Sequence, residues 1–417
     1  MQIRTPKKYQ GVQRRKLVSC RRLLFYLVML ALIAAGIAIY LNQGTLAPIV
    51  QDALMDTIRE MEDRAATMAV PDPTPTVDPR NKVVEANNYW IRGALNEALD
   101  IYTEIADALP NSVEVFRRIA VALINSARPA EALIFAERAV NADPFSAEAW
   151  AIRAWALDWA GRDGEAVSSA LHALELDPQN GRAGAYLAEA YFELGQVSRA
   201  EDLIEEILAD DANSAEAWRA RGLIKSEGRF DYAGAAEDFA TAYGIAENMN
   251  LVAIDLARTE TVLGNLDTAL EVLKDVTEAN PHNTQALYLM GLIYRNNLGN
   301  PSQALRHLQD CVDFDADHIS CHYELGRAQL ELEFVQEAAE TLVRAIDLGS
   351  QNPRHYYWAG EAQRNLNNCT RAMYYFDQGL QKARDQDFSE LIDALETVIP
   401  LCRQSFQVDA NEAAGDG

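Results

Sequence analysis

An alanine recurs along most of this chain at an interval of 34 or 35 residues. A second small residue precedes it by twelve positions, or by thirteen where one residue is inserted. The recurring alanines are Ala98, Ala132, Ala166, Ala200, Ala235, Ala269, Ala304, Ala338 and Ala372. The preceding small residues are Ala86, Ala120, Ala154, Ala188, Gly222, Ala257, Gly291, Gly326 and Gly360. Nine pairs in phase indicate a structural repeat.

A unit of this length has room for two helices and two short turns. We expect the small residues to lie where the two helices cross, because closely approaching axes leave no space for a large side chain. Asp143-Pro144 and Asp177-Pro178 are expected to end second helices, since proline cannot donate a hydrogen bond inside a helix. A single hairpin cannot bury both of its faces, so the units must stack into an all-α solenoid.

These residues resemble the tetratricopeptide repeat family. The match is clearest in the third unit, where its pattern reads as Trp150, Arg153, Ala154, Leu157, Ala166, Ala170, Ala173 and Pro178. The resemblance covers nine units over residues 79–386 and implies a right-handed solenoid. The pattern is broken at Gly184, His322, Ala212, Glu247, Ala316 and Ser350. One further amphipathic helix over 387–406 is expected to cap the last unit, followed by a disordered tail over 407–417.

In this family the first helix of each unit lines the concave surface, where ligand peptides usually lie. The outward positions of these helices offer candidate groove residues: Trp90, Trp155, Trp159, Phe192, Arg219, Arg258, Tyr288, Arg295, Tyr323, Arg327, Arg354, Tyr357 and Arg364. The resulting hypothesis is an extended protein segment, apolar toward the first units and acidic toward the last. The alternative is that some aromatics belong to the core, and that the arginines pair with Glu216, Glu331 and Glu361 on their own helices.

The N-terminal segment predicts a membrane anchor. A basic stretch over residues 1–22 precedes 19 uncharged residues, Leu23 to Leu41, which as a helix would span roughly 28 Å. A cleaved signal peptide is the alternative, but the apolar run is longer than such peptides usually carry. Because few basic residues follow the run, the positive-inside rule places residues 1–22 in the cytoplasm and the repeats outside it.

Residues 42–78 are expected to form a stalk between this anchor and the repeats. Its apolar positions Leu54, Ile58, Met61, Ala65 and Met68 alternate four and three apart. That spacing predicts an amphipathic helix, which either associates weakly with a second copy or lies on the membrane or the repeats. The alternating prolines over 70–79 predict an extended spacer.

Charge and cysteine content exclude several functions. With 37 basic and 62 acidic residues, a net charge of −25 argues against a nucleic-acid partner. No phosphate-binding loop, nucleophile elbow or metalloprotease motif is present, so neither an enzyme nor a cofactor is expected. Cys311, His318, Cys321 and His322 match no standard zinc spacing, and no metal is expected. Outside the cytoplasm, Cys311–Cys321 or Cys369–Cys402 are candidate disulfides among three possible pairings.

The leading functional hypothesis is a membrane-anchored scaffold that docks envelope or secreted proteins through its groove. Two alternatives remain open. One is an assembly, quality-control or import-receptor-like factor whose repeats face the cytoplasm. The other is a non-catalytic accessory subunit of an envelope biosynthetic enzyme. In each case the partner is a protein or peptide that the sequence does not identify.

Overall fold

The computed structural model describes residues 20–41, 55, 57, 58, 61, 78–246 and 249–415, without the side chains of 20–24, 39 and 403–415. The chain divides into two compact parts, Met1–Thr76 and Val77–Gly417. The basic stretch, most of the stalk helix and the proline-rich spacer are predictions that lie outside the described residues.

In the first part, helix α1 spans Cys20–Leu41. Large apolar side chains along it are exposed, among them Phe25, Leu27 and Leu30. Of the stalk, Met55, Thr57, Ile58 and Met61 are helical. Within the part of the chain that the structure describes, no helix meets the combination of length and apolarity required to cross a membrane.

The second part is an all-α solenoid of nine helix pairs, and its described residues contain no strand. The pairs, numbered here as units 1 to 9, are α2 (Pro79–Ile91) with α3 (Leu95–Ile105), α4 (Val113–Asn125) with α5 (Pro129–Ala142), α6 (Ala147–Trp159) with α7 (Asp163–Leu176), α8 (Gly181–Glu193) with α9 (Val197–Asp210), α10 (Ala215–Leu223) with α11 (Tyr232–Ile245), α12 (Asn250–Leu263) with α13 (Leu266–Ala279), α14 (Thr284–Leu292) with α15 (Pro301–Phe314), α16 (Ile319–Glu331) with α17 (Val335–Asp347), and α18 (Pro353–Asn365) with α19 (Cys369–Asp385). The first helix of each unit is called its A helix and the second its B helix. Helix α20 (Ser389–Gly415) follows unit 9.

Side-chain caps fix where most A helices begin. The Ser146 hydroxyl accepts a hydrogen bond from the backbone N–H of Ala149 at 3.3 Å, and the Asn180 side chain accepts one from Ala183 at 2.9 Å. Each cap satisfies a backbone donor that the first turn of a helix leaves without a partner. Ser112, Ser214, Asn283, His318 and Asn352 cap their A helices in the same way.

The small residues lie where the A and B helices of a unit cross, which confirms the packing predicted from the repeat. A Cβ built on Gly222 would lie 2.6 Å from Cε1 of Phe239 on the facing B helix. Gly291, Gly326 and Gly360 meet Leu308, Leu342 and Phe376 in the same manner. Large B-helix side chains therefore fill the volume that these glycines leave open.

The two inserted residues are absorbed inside A helices. In units 5 and 7 the small residue precedes the recurring alanine by thirteen positions, and these two A helices end in π-helical segments, Ile224–Gly228 and Ile293–Asn297. A π-helical turn accommodates one extra residue without ending the helix. The crossing of the A and B helices is thereby preserved in both units.

The C-terminal helix is longer than expected. A disordered tail was predicted from residue 407, but α20 continues through it to Gly415. Residues 407–414 include Ala410, Glu412, Ala413 and Ala414, which favour helix, and no proline. The helix ends only at Gly415. Near its start, Leu391 and Leu395 pack against Phe376 of unit 9.

Candidate protein-binding groove

The inner face of the solenoid is largely a packed core. Every residue of α8 from Ala183 to Tyr191 is buried, and so is every residue of α12 from Asn250 to Ile254. A helix that is buried around its whole circumference lies inside a structure rather than on one of its surfaces. These A helices therefore do not line an open channel.

The burial arises because the chain returns to its own first units. Three hydrogen bonds join units 1 and 2 to unit 6 and to the turn after it, and we call them the closure contact. Asn125 Oδ1 accepts from the backbone N–H of Leu251 at 3.1 Å, Asn96 Nδ2 donates to the His282 carbonyl at 3.2 Å, and Asn250 Nδ2 donates to the Gly93 carbonyl at 3.5 Å. Leu251 also packs into the hydrophobic core of units 1 to 4.

The predicted groove aromatics separate into two groups. Trp155 is only 1% exposed and its ring stacks on that of Tyr186, with centroids 4.8 Å apart. Trp155 was thus wrongly assigned to the open groove, because the returning chain covers it. Trp90 is half-buried beneath the guanidinium of Arg118, 5.1 Å from the ring centroid. Trp159 and Phe192 are half-buried and line a cavity on the inner face.

Two of the predicted groove arginines are buried in ion pairs that link successive A helices. Arg219 is 3% exposed; its Nε donates to Asp255 at 2.8 Å and its Nη1 to Glu189 at 3.0 Å. Arg295 is held in the same way by Glu324 and Glu331. Because both guanidiniums already have their carboxylates, neither is available to an acidic partner, which corrects their assignment.

The alternative of pairing within one helix holds for two other arginines. Arg364 is paired with Glu361 at 2.6 Å, and Arg327 lies 4.0 Å from Glu331. Arg327 also packs over the Trp358 ring, 3.8 Å from its centroid. The predicted pairing of an arginine with Glu216 on its own helix is not found, since Glu216 pairs with Arg182 of unit 4.

The remaining groove candidates lie at several places on the solenoid. Tyr323 is 8% exposed and stacks on His355, with centroids 4.1 Å apart, while Tyr288 and Tyr357 are half-buried. Arg258 and Arg354 are exposed, and within the described part of the chain neither has a carboxylate partner. Arg354 lies over the Phe388 ring instead.

A cavity of about 210 Å³ lies on the inner face, and we call it the groove cavity. It is lined by the A helices of units 3 to 6 together with the π-helical segment that continues one of them. Its aromatic residues are Trp159 and Phe192, and its charged residues are Asp158, Glu189, Glu193, Glu227, Asp255, Arg219 and Arg258. Five carboxyl groups thus face two guanidiniums. Sequence reasoning missed these carboxylates, because acidic residues are spread over every solvated face of the chain.

The groove cavity contains too few guanidinium groups to balance the negative charge of its carboxyl groups. Burial, together with the neighbouring Glu189 and Glu193, raises the pKa of Asp158 to about 8, although Arg219 acts to lower it. Burial also raises the pKa of Glu193, with a contribution from Glu227. Oδ1 of Asp158 is buried without a hydrogen-bond partner among the described residues. The cavity therefore favours a positively charged group.

Both candidate disulfides are formed. Cys311 pairs with Cys321 across units 7 and 8, with Cα atoms 6.2 Å apart, and Cys369 pairs with Cys402 of α20 at 5.3 Å. His318 lies beside the first disulfide, with its ring nitrogen and the two sulfur atoms within 4.8 Å of one another. Zinc requires thiolate ligands, and disulfide sulfurs are not thiolates. In the disulfide form this cluster does not offer the donor set of a zinc site.

Comparisons with known proteins agree with this architecture. A family model described as tetratricopeptide repeat matches residues 89–156, 161–224 and 228–293, and a second model of the same description matches 323–387. A model described as anaphase-promoting complex, cyclosome, subunit 3 matches residues 262–345. No curated protein matches the chain in its sequence.

Among solved structures, the chain is similar to one in the crystal structure of the APC/C hetero-tetramer Cut9-Hcn1. The identity is 16%, the TM-score is 0.55, and the match covers 72% of this chain and 59% of that chain. A structure from the functional characterization of Pseudomonas aeruginosa pilF matches at 17% identity over 55% of this chain and 97% of that one, with a TM-score of 0.44. The human IFIT1 dimer with m7Gppp-AAAA matches at 15% identity over 79% and 77%, with a TM-score of 0.45.

The solved structure with the TM-score of 0.55 supports the fold, and at its identity it supports the fold alone. The two models described as tetratricopeptide repeat together match more than half of the chain. The nine helix pairs and the small residues at their crossings agree with that description. The chain therefore belongs to the tetratricopeptide repeat family.

Proposed function

We propose that this chain is a non-catalytic scaffold that docks a protein partner on the inner face of its solenoid. The observation that carries the proposal is the groove cavity, which is lined by four consecutive A helices and joins aromatic rings to charged groups. Aromatic side chains held on rigid helices provide contact area at a low entropic cost, as binding hot spots do.

The partner segment offers a basic side chain to this cavity, flanked by apolar residues. A lysine or arginine would neutralise the surplus of carboxylates, and its aliphatic stem would lie against Trp159 and Phe192. This replaces the expectation of an acidic partner, which relied on six arginines of the later units, because Arg219 and Arg295 are buried in ion pairs and Arg327 and Arg364 lie beside glutamates of their own helices. Because Asp158 holds a proton through its raised pKa, binding of a cation should release protons near neutral pH.

Binding to defined peptides tests this proposal. We would measure the affinity of the full chain for peptides of the pattern apolar-basic-apolar, and for matched peptides with glutamate in the basic position. The variant Glu193→Gln with Glu227→Gln should weaken binding of the basic peptides by about tenfold. The matched control is Glu206→Gln with Asp210→Asn, which lie exposed on a B helix. Equal affinity for basic and acidic peptides would contradict the proposal.

We further propose that residues 23–41 anchor the chain in a membrane, although no helix among the described residues meets the length and apolarity required to cross one. The proposal is supported by the 19 uncharged residues of the run and by the apolar side chains that α1 leaves exposed, since such surface is stable in lipid. The chain should stay with the membrane fraction through alkaline extraction, and a variant lacking residues 1–41 should be released. Release of the full chain by the same treatment would exclude the anchor.

The two disulfides support placing the repeats outside the cytoplasm, where such bonds persist. The docked partner would then be an envelope or secreted protein. A fusion of alkaline phosphatase to the C-terminus should be active if the repeats lie outside. Rapid alkylation of Cys311, Cys321, Cys369 and Cys402 in intact cells, before lysis and without reductant, would instead support repeats that face the cytoplasm.

A further inference from the structure

A second cavity lies where the solenoid closes on itself. It measures about 330 Å³ and is lined by residues of units 1 and 2 on one side and of units 6 and 7, with the turn after each, on the other. We call it the closure cavity, because the closure contact forms part of its wall. Its volume falls at the lower end of the range for small-molecule sites. The groove cavity is separate and shares no lining residue with it.

One buried polar atom of the closure cavity has no partner. Asn280 is 2% exposed, and its Oδ1 has no hydrogen-bond partner among the described residues. The backbone of Asn280 is fully used, since its N–H donates to the Val276 carbonyl and its own carbonyl accepts from Asn283. A buried acceptor without a donor destabilises the folded state, because it has lost its hydrogen bonds to water. A hydrogen-bond donor located in the cavity would therefore satisfy Asn280 Oδ1.

The other polar groups of this wall mix donors with acceptors. Asn96 uses its Nδ2 on the His282 carbonyl, which leaves its Oδ1 to accept a second hydrogen bond. Asp100 and Asp315 contribute carboxylates, and Arg128 contributes a guanidinium that Glu131 holds with two hydrogen bonds of 2.7 Å. An anionic ligand would be repelled by the two carboxylates, because the charge of Arg128 is already balanced by Glu131. The wall fits an uncharged ligand with several hydrogen-bonding groups.

An aromatic pair supplies the apolar part of the same wall. The rings of His282 and Phe314 lie with centroids 4.3 Å apart, and Phe314 is partly exposed. A hydroxyl group both donates and accepts, so it can serve Asn280 and Asn96 alike. The C–H face of a sugar ring can pack on an aromatic ring while its hydroxyls face the amides. Amides, two carboxylates and an aromatic surface together match this chemistry.

We propose that the closure cavity binds an uncharged saccharide of one or two rings. The ligand donates a hydroxyl to Asn280 Oδ1, hydrogen-bonds to Asp100 and packs against Phe314. Because it touches units 1 and 2 as well as units 6 and 7, it stabilises the closed form of the solenoid. This inference does not depend on the proposed docking function, since it uses other residues. The competing occupant is a cluster of water molecules.

Saturation-transfer NMR on the full chain in lipid nanodiscs tests the inference, with glucose, N-acetylglucosamine and maltose as probes. At least one sugar should receive saturation from the unchanged protein and raise its melting temperature. The variant Asn280→Ala should weaken binding by about tenfold. The exposed Asp100→Ala serves as a second variant that should fold normally.

The control is Asn265→Ala, at the opposite end of α13, where the side chain is exposed and outside the cavity. It should bind sugar as the unchanged protein does. Absence of transfer to all three sugars would mean that the cavity holds only water, and would overturn the inference. Equal transfer in all variants would place binding elsewhere and would overturn it as well. If Asn280→Ala fails to fold, the result for Asp100→Ala decides.

Discussion

The side-chain oxygen of Asn125 accepts a hydrogen bond from the backbone N–H of Leu251 at 3.1 Å, across 126 positions of the sequence. Asn125 lies at the end of the A helix of unit 2, and Leu251 lies in the first turn of the A helix of unit 6. The first turn of a helix leaves its N–H groups without internal partners, and Asn125 satisfies one of them. This bond joins two distant units and turns their inner faces into a common core.

Replacing Asn125 by alanine should loosen this closure. The change leaves the buried Leu251 N–H without a partner, so the free energy of unfolding should fall by about 1–3 kcal/mol. The amide proton of Leu251 should exchange faster with solvent, and small-angle scattering should show a larger radius of gyration. The control Asn213→Ala, at an exposed turn, should change neither quantity. Unchanged exchange at Leu251 would mean that the contact does not hold the units together.

A methyl group at Gly222 should destabilise unit 5. Its Cβ would lie within 3 Å of three ring atoms of Phe239, which is 1% exposed and cannot move aside easily. Overpacking of this kind lowers the free energy of unfolding by about 1–3 kcal/mol. The control is Gly244→Ala on the B helix of the same unit, where a Cβ meets nothing within 4 Å. That change should be stabilising by about 0.5–1 kcal/mol, because alanine favours helix. Chemical denaturation monitored by circular dichroism measures both.

Glycine at Glu333 should make the protein more stable. Glu333 ends the A helix of unit 8 in the left-handed region with φ +65°, a position that glycine occupies in other units, as at Gly161 and Gly195. Relief of the Cβ strain should raise the free energy of unfolding by about 1 kcal/mol. The same substitution at Glu340, exposed inside a B helix, should lower it by about 1 kcal/mol. Melting curves that shift in the same direction for both variants would contradict this account.

Replacing Arg219 by methionine should be among the most damaging changes on the inner face. It leaves Glu189, which is 5% exposed, as a buried carboxylate without its guanidinium. Breaking a buried pair from one side is destabilising by about 3–5 kcal/mol. Arg354→Met, at an exposed position, should change the free energy of unfolding by less than about 0.5 kcal/mol. Equal effects of the two substitutions in urea titrations would argue against the buried network.

The raised pKa of Asp158 gives the fold a specific pH dependence. Between its ordinary pKa of 3.8 and its folded value of about 8, the folded state binds a proton that the unfolded state has released. The free energy of unfolding must therefore fall as pH rises through this window, by at most about 1.4 kcal/mol per pH unit. Asp158→Asn should remove this decline.

His307 and His355 have the opposite effect on the free energy of unfolding at lower pH. They therefore set the pH range in which the effect of Asp158 can be measured. Burial lowers the pKa of His307 and of His355 to about 4, so each contributes stability that is lost as pH falls from 6.5 toward 4. Well above pH 6.5 these two histidines are neutral in both states, and so is His318, whose pKa burial also lowers. Urea titrations between pH 6.5 and 8 thus isolate Asp158, and identical slopes for the two proteins would contradict its raised pKa.

The sequence alone determined the repeating architecture. Ala154, Gly222 and Gly360 recur in phase because each helix crossing needs a small side chain, and this requirement is local to one unit. Even the inserted residues of units 5 and 7 are visible as steps of thirteen, although the sequence did not reveal that π-helical turns absorb them. The two disulfides stood among the pairings that the sequence left open.

Only the tertiary structure decided which inner-face residues remain accessible. Trp155 and Arg219 carry the side chains expected of a binding groove, yet both are buried. Trp155 shares a core with Leu251 of the returning chain, and Arg219 lies between carboxylates of the two units that flank its own. The curvature of a solenoid is the sum of small rotations between neighbouring units, and no single unit encodes it. The closure cavity beside Asn280 depends on that accumulated rotation, whereas Asp158, Glu189 and Glu193 converge through the packing of units 3 and 4. Spacing within one repeat therefore predicts packing within a unit, but contacts between distant units depend on how all of them are stacked.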